Sequence, residues 1–172
     1  TYPTVTDREF KEHLYRMKMD TPPAPDATDI NVRRAGVAMT WNVFQHFYPY
    51  FDDSNADWNK QLERFLVAAH DDKSDLEYLF TLREMTAGLD DCLATVHHPL
   101  VKNNSGFPFK VEWIENRAVI TYSQDMLFER GDVIKAIDGV AVKKYLEWSE
   151  RFISGSPQWK RQVAMRLFGQ GK

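Results

Sequence analysis

The stretch that most constrains this chain runs from Lys102 to Val142, KNNSGFPFKVEWIENRAVITYSQDMLFERGDVIKAIDGVAV. Its spacing fits a short antiparallel sheet. Phe109, Val111 and Trp113 alternate with Lys110 and Glu112, the period-two pattern of a strand with one apolar face. Glu115-Asn116 suits a two-residue hairpin turn. The strand that follows, Ala118 to Tyr122, has apolar side chains on both faces and is expected to be buried on both or nearly so. Gly131-Asp132 opens a third strand, Val133 to Ile137, and Asp138-Gly139 is a second hairpin-type turn into Val140 to Val142. A helix is expected from about Lys143 to Ile153, with Tyr145, Leu146, Trp148 and Phe152 as its apolar positions. Ser154-Gly155-Ser156-Pro157 breaks it. Ser156 can cap a last helix with Pro157 in its first position, and Trp159, Val163, Leu167 and Phe168 form that helix's apolar face up to Gly169.

The first 95 or so residues read as helices instead. Thr6 and Glu9 have capping-box spacing, and Phe10, Leu14 and Met17 then recur at helical intervals. Pro22, Pro23 and Pro25 make an extended linker near residues 21–28. Asp29 can cap a second helix whose broad apolar face is Val32, Ala35, Met39, Val43, Phe44 and Phe47. Asp57 can cap a third, with Trp58, Leu62, Phe65, Leu66 and Ala69 inward. Ser74 with Glu77 is another capping box, followed by Tyr78, Leu79, Leu82, Met85 and Leu89. Short connections between them predict a small bundle. The aromatic run Phe44 to Phe51 is expected to pack within it, with His46 half-buried.

Composition excludes several classes. The chain has 172 residues, 43% of them hydrophobic and 13% aromatic, enough for a packed core. A net charge of −3 gives no nucleic-acid footprint. No apolar run approaches the roughly 18 residues of a membrane-spanning helix. The one cysteine, Cys92, rules out an intramolecular disulfide and reads as a packed thiol.

Motifs for metal and covalent chemistry are weak. Asp53, Asn55 and Asp57 occupy the first, third and fifth places of a calcium loop. Trp58 and Arg64 then stand where that loop needs Gly and a bidentate Glu. Asp90, Asp91, His97 and His98 are the densest set of metal-ligand types, but adjacent residues diverge on a regular element and no spaced His or Cys pair accompanies them. A metal-assisted hydrolase around Asp91 and His97 stands as a third reading. Ser105 with Lys102, or Ser123, lacks a nucleophile elbow or a Ser-x-x-Lys helix. Ser154 and Ser156 read as breaker and cap, and Asp132 and Asp138 as turn residues. No catalytic residue, metal or cofactor is assigned.

The loop before the first strand carries the binding chemistry. Capturing a peptide C-terminus takes backbone N–H groups aimed at a carboxylate and an exposed strand edge that extends the sheet. Gly106 permits the turn, Phe107 and Phe109 wall a pocket for the terminal side chain, and Lys102 adds positive charge. Pro108 lacks an N–H and spoils part of the pairing edge. Tyr145 and Leu146, on the neighbouring helix, are expected to line the groove.

Gly106-Phe107-Pro108-Phe109 resembles the G-Φ-G-Φ carboxylate loop of PDZ domains, with Pro in place of the second Gly. GDVIKAIDGVAV resembles their G-D-x-I-x-x-I-[DN]-G strand and turn. More broadly, roughly residues 30 to 172 are similar to the front part of the tail-specific (C-terminal processing, tricorn-like) serine peptidases. AGVAMTWNVFQHFYPYFDDSNADWNKQLERFL resembles that family's leading helical region, and RFISGSPQWKRQVAMRLFGQG the helical stretch of its module. LEYLFTLREMTAGLDD resembles its helix ending in L-x-D-G-H, with Cys92 and Leu93 replacing the Gly and His after Asp91. The resemblance implies an α+β protein: a helical bundle over 1–98, then a PDZ-like module over 99–172 that lacks its last strand. It implies the non-catalytic front of a serine peptidase that recruits peptide or protein C-termini, the Ser/Lys catalytic domain lying downstream. The alternative is a structural lid or scaffold on that partner domain, without peptide binding. The family suggests an extracytoplasmic location, and an exposed sheet edge would favour a homodimer.

Overall fold

The computed structural model describes residues 8–19, 26–51, 57–99, 101 and 106–168. The chain is an α+β protein. Four helices come first: α1 (Arg8–Met19), α2 (Ile30–Phe47), α3 (Trp58–Asp71) and α4 (Asp75–Ala87). Short strands follow: β1 (Phe109–Ile114), β2 (Arg117–Ser123), β3 (Val133–Ile134), β4 (Ala136–Ile137) and β5 (Val140–Ala141). Helices α5 (Val142–Glu150) and α6 (Pro157–Leu167) end the described part. None of the described helices is long and apolar enough to cross a membrane.

Side-chain caps start three of the predicted helices where the sequence puts them. Asp29 accepts the Asn31 N–H at 2.8 Å, Asp57 the Lys60 N–H at 3.2 Å and Ser74 the Glu77 N–H at 3.2 Å. Glu77 reaches back to the Lys73 N–H, completing a box around the entry to α4. Ser156 caps α6 through the Trp159 N–H, with Pro157 in the first turn. The cap expected from Thr6, the prolines of the linker and Gly169 lie outside the described residues.

The bundle core joins Val37, Trp58, Phe65, Ala69, Met85 and Leu89. Trp41 and Trp58 each donate an indole N–H to the other's carbonyl, at 2.9 and 3.1 Å, tying α2 to α3. The face α2 buries only partly matches the predicted one, with Phe44 packed against the core as expected. Arg33 and Val37 are its buried residues, while Met39, Val43 and Phe47 point outward. Arg33 is tolerated inside because its guanidinium meets the carbonyls of Ala69, Ala27 and Thr28 at 2.8 to 2.9 Å. His46, expected to be half-buried, is exposed.

Asp72 ends α3 under electrostatic load. Its Oδ1 accepts the Thr81 hydroxyl at 3.1 Å, and its Oδ2 is buried without a partner among the described residues. Burial pushes its carboxyl above the ordinary value, helped by Glu77 and Asp71 and opposed by the Thr81 hydrogen bond and the Arg33 charge. A carboxyl that holds its proton more tightly in the folded state costs stability at every pH above its folded pKa. That cost fades as pH falls through the folded value towards the unfolded one. Asp72→Asn should therefore raise the urea midpoint at neutral pH, and the advantage should vanish below about pH 4. A variant no more stable than the parent at pH 7 would contradict this.

In the sheet, β2 lies between β1 and β3, all antiparallel, and β4 pairs with β5 as a separate hairpin. Both two-residue turns are as read: Glu115 and Asn116 have φ of 48° and 60°, Asp138 and Gly139 of 49° and 78°. The single strand expected over Val133 to Ile137 is instead two, interrupted at Lys135, whose carbonyl accepts the N–H of Val142 and so starts α5. On β2, Ala118 and Ile120 are buried, whereas Val119 and Thr121 are only partly covered and Tyr122 is half-exposed. That strand is buried on one face only. Ala118, Val142, Leu146, Ala164, Met165 and Phe168 form the second core.

The helical half meets α5 and α6 through α4. Phe80 packs on Trp148 and Phe152, with ring centroids 5.4 and 4.7 Å away. Glu84 binds Arg64 and Arg151, and Asp90 binds Lys160 at 2.7 Å.

Candidate functional site

An open groove of about 1000 Å³ runs between β1 and α6. Its sheet wall is Phe109, Val111 and Trp113 with the edges of Lys110 and Glu112. Its helix wall is Pro157, Gln158, Arg161, Gln162, Met165 and Arg166, and Gly106, Phe107 and Phe168 line it as well. Phe107 stacks on Phe109 at 4.8 Å and meets the edge of Phe168 at 6.0 Å, so one end of the groove is apolar and aromatic. Near the other end, Arg161 lies 4.8 Å over the Trp113 ring and is held by Glu150.

The backbone of β1 faces the groove in a regular way. The Gln124 N–H bonds the Pro108 carbonyl at 2.8 Å, which makes Phe109 and Ser123 a non-hydrogen-bonded antiparallel pair. Phe109 therefore turns its own N–H and C=O away from β2. Ile120 bonds to the other side, to Gly131 and Asp132, so Val111 opposite it also faces outward. A bulge at Lys110/Val111 leaves Thr121 as the extra residue on β2 and keeps this alternation on β1 intact. Phe109, Val111 and Trp113 thus offer their backbone groups along one free edge, since β1 is the outer strand. No described residue of the helical half lines the groove along that edge.

This corrects the expectation for Pro108. Its carbonyl is bonded to the β2 side, so the alternation places it among the residues that face β2, and the outer edge keeps its donors. The Phe107 N–H makes no backbone hydrogen bond among the described residues. Gly106 does line the groove. A Cβ there would meet nothing within 4 Å among the described residues, so close packing does not require glycine.

Gly106, Phe107 and Phe109 come together at the apolar end, as their spacing suggested. Tyr145 and Leu146 do not join them. Leu146 is fully buried in the second core, and Tyr145 packs on Phe168 and Trp148. The helical wall is α6 rather than α5, because α5 has its apolar face turned into that core. Pro157, Gln158, Arg161, Gln162, Met165 and Arg166 on α6, with Phe168 after it, are lining residues that sequence reasoning missed. Their one signal is the strong Ser156-Pro157 start, which marks a second helix beyond the strands. Among the charged lining residues, Arg161 is already paired with Glu150, which leaves Lys110 and Arg166 beside Glu112. Lys102 and Ser105 lie outside the described residues.

The weaker constellations are occupied locally. Asp90 binds Lys160, Asp91 accepts the Leu93 N–H at 2.9 Å and His97 contacts the Thr95 hydroxyl at 3.1 Å. Among the described residues, no three His, Cys, Asp or Glu side chains converge as a metal site would need. Asp53 and Asn55 lie outside the described residues, and Asp57 serves as the cap of α3. Asp132 accepts the Glu129 N–H at 2.8 Å, a turn role. Cys92, read as packed, is exposed. Comparison with known protein families finds no match, and neither does comparison with curated proteins.

Proposed function

We propose that the β1–α6 groove binds the C-terminal segment of a peptide or protein as an added strand, in the manner of a PDZ-like module. On this reading the chain is the non-catalytic, substrate-recruiting front of a tail-specific serine peptidase, and a downstream catalytic domain is its natural partner. The observation that carries the reading is the free edge of Phe109, Val111 and Trp113 facing α6. Strand addition needs unpaired backbone groups at alternate positions and a wall for the side chains between them. The aromatic end at Phe107, Phe109 and Phe168 suits a large apolar terminal residue, and the Phe107 N–H, without a backbone partner among the described residues, suits its carboxylate. A lid or scaffold would be expected to cover this edge, and no described residue of the helical half does.

The test is a titration of short peptides with free C-termini, each paired with its amidated form. Selective binding that amidation weakens about tenfold or more, roughly 1.4 kcal/mol, supports carboxylate capture. A folded chain that binds neither form would sink it and favour the scaffold.

A further inference from the structure

The side chains of β1 alternate in burial. Phe109, Val111 and Trp113 are partly covered and line the groove towards α6, while Lys110 and Glu112 are exposed on the other face of the sheet. Neighbours on β2 orient the two charges. The Lys110 Nζ lies 5.9 Å over the Tyr122 ring, and Glu112 accepts the Thr121 hydroxyl at 3.5 Å. Among the described residues, neither charge is in an ion pair.

A strand added to the free edge meets these charges at close range. Phe109, Val111 and Trp113 present their N–H and C=O groups outward and make the hydrogen-bonded pairs. Lys110 and Glu112 then stand in the non-hydrogen-bonded pairs, where opposed Cα atoms are only about 4.5 Å apart and side chains come closest. Opposite charges directly across such a pair attract, and like charges repel. The direction of the added strand follows from its carboxylate. Because β1 runs away from Phe107, a ligand whose C-terminus lies at Phe107 runs antiparallel to β1. With its terminal residue paired to Phe109, its penultimate residue stands opposite Lys110 and its fourth residue from the end opposite Glu112. A register moved by two residues shifts both positions together and keeps their order.

We infer that the groove selects among peptide tails by charge order: an acidic penultimate residue facing Lys110, and a basic residue two places before it facing Glu112. This selectivity rests on the strand-addition reading above and says which tails that site takes. Both pairs are solvent-exposed, so the preference is modest and weakens with salt.

Two peptides of identical composition test it, one ending Lys-Val-Asp-Phe and the other Asp-Val-Lys-Phe, each with a free C-terminus and in amidated form. Their equal net charge removes any general attraction. At low salt the parent should bind the first about tenfold more tightly, and the gap should narrow as salt is added. The double variant Lys110→Glu/Glu112→Lys, altered only at exposed positions, should prefer the second. If the parent binds both sequences equally and amidation weakens both, charge order plays no part, and the strand-addition reading stands without it. If a folded parent binds neither, both are overturned. A parent that prefers the second peptide, or a preference for the first that the charge swap leaves in place, also overturns selection by Lys110 and Glu112.

Discussion

Gly155→Ala should cost roughly 3–5 kcal/mol of stability, from the sum of backbone strain and overpacking. Gly155 has a φ of +127°, a region essentially closed to residues with a Cβ. The added Cβ would also stand 2.5 Å from Cδ1 of Trp159 and 3.3 Å from the Cβ of Cys92. Neither neighbour can step aside easily. Cδ1 belongs to the root of the indole, on the first turn of α6, and Cys92 is held by the turn after α4. The position joins the helical half to the sheet half, so the change loosens both. A folded domain has only about 5–15 kcal/mol in hand, and the urea midpoint should fall steeply. The double variant Gly155→Ala/Trp159→Ala separates the two causes, because removing the indole relieves the clash and leaves the φ strain. A single variant within about 1 kcal/mol of the parent would show that neither constraint is real.

Local chemistry was readable from the sequence because it depends on neighbours a few residues away. The caps at Asp29, Asp57, Ser74 and Ser156 and the turns at Glu115-Asn116 and Asp138-Gly139 are of this kind. So is the alternation of Phe109, Val111 and Trp113, which fixed the face of β1. What failed depended on distant partners. The buried face of α2 follows from carbonyls in the turn before α2 and on α3 that accept the Arg33 guanidinium, and no periodicity reveals an arginine pointing inward. Residues 133–137 split because the first pair extends β2 while the second pairs with β5. The groove's helical wall passed from α5 to α6 because Leu146 is needed in the core beneath. At Pro108, the missing donor could be counted from the sequence, but its direction depended on which residues of β2 it faces.

That direction makes the site testable at the backbone. Val111→Pro should leave the chain folded and weaken peptide binding by roughly 30- to 100-fold. The proline removes an outward N–H, and a peptide carbonyl left without its donor costs about 2–3 kcal/mol. Folding should survive because proline is accepted on an edge strand where the lost N–H faces away from the ladder, and Val111 lies opposite Ile120 in a pair whose bonds run to β3. Lys110→Pro is the counterpart. Lys110 pairs with Tyr122 and directs its N–H into the β1–β2 ladder, so the same substitution one residue earlier should destabilise the sheet whatever the ligand. Circular dichroism and urea unfolding report the fold, and peptide titration reports the edge. If Val111→Pro binds peptide as tightly as the parent, the ligand does not lie along β1, and the strand-addition reading fails even if the groove is occupied. If Lys110→Pro is as stable as the parent, the register that places Phe109, Val111 and Trp113 on the free edge is wrong, and the argument for the groove fails with it.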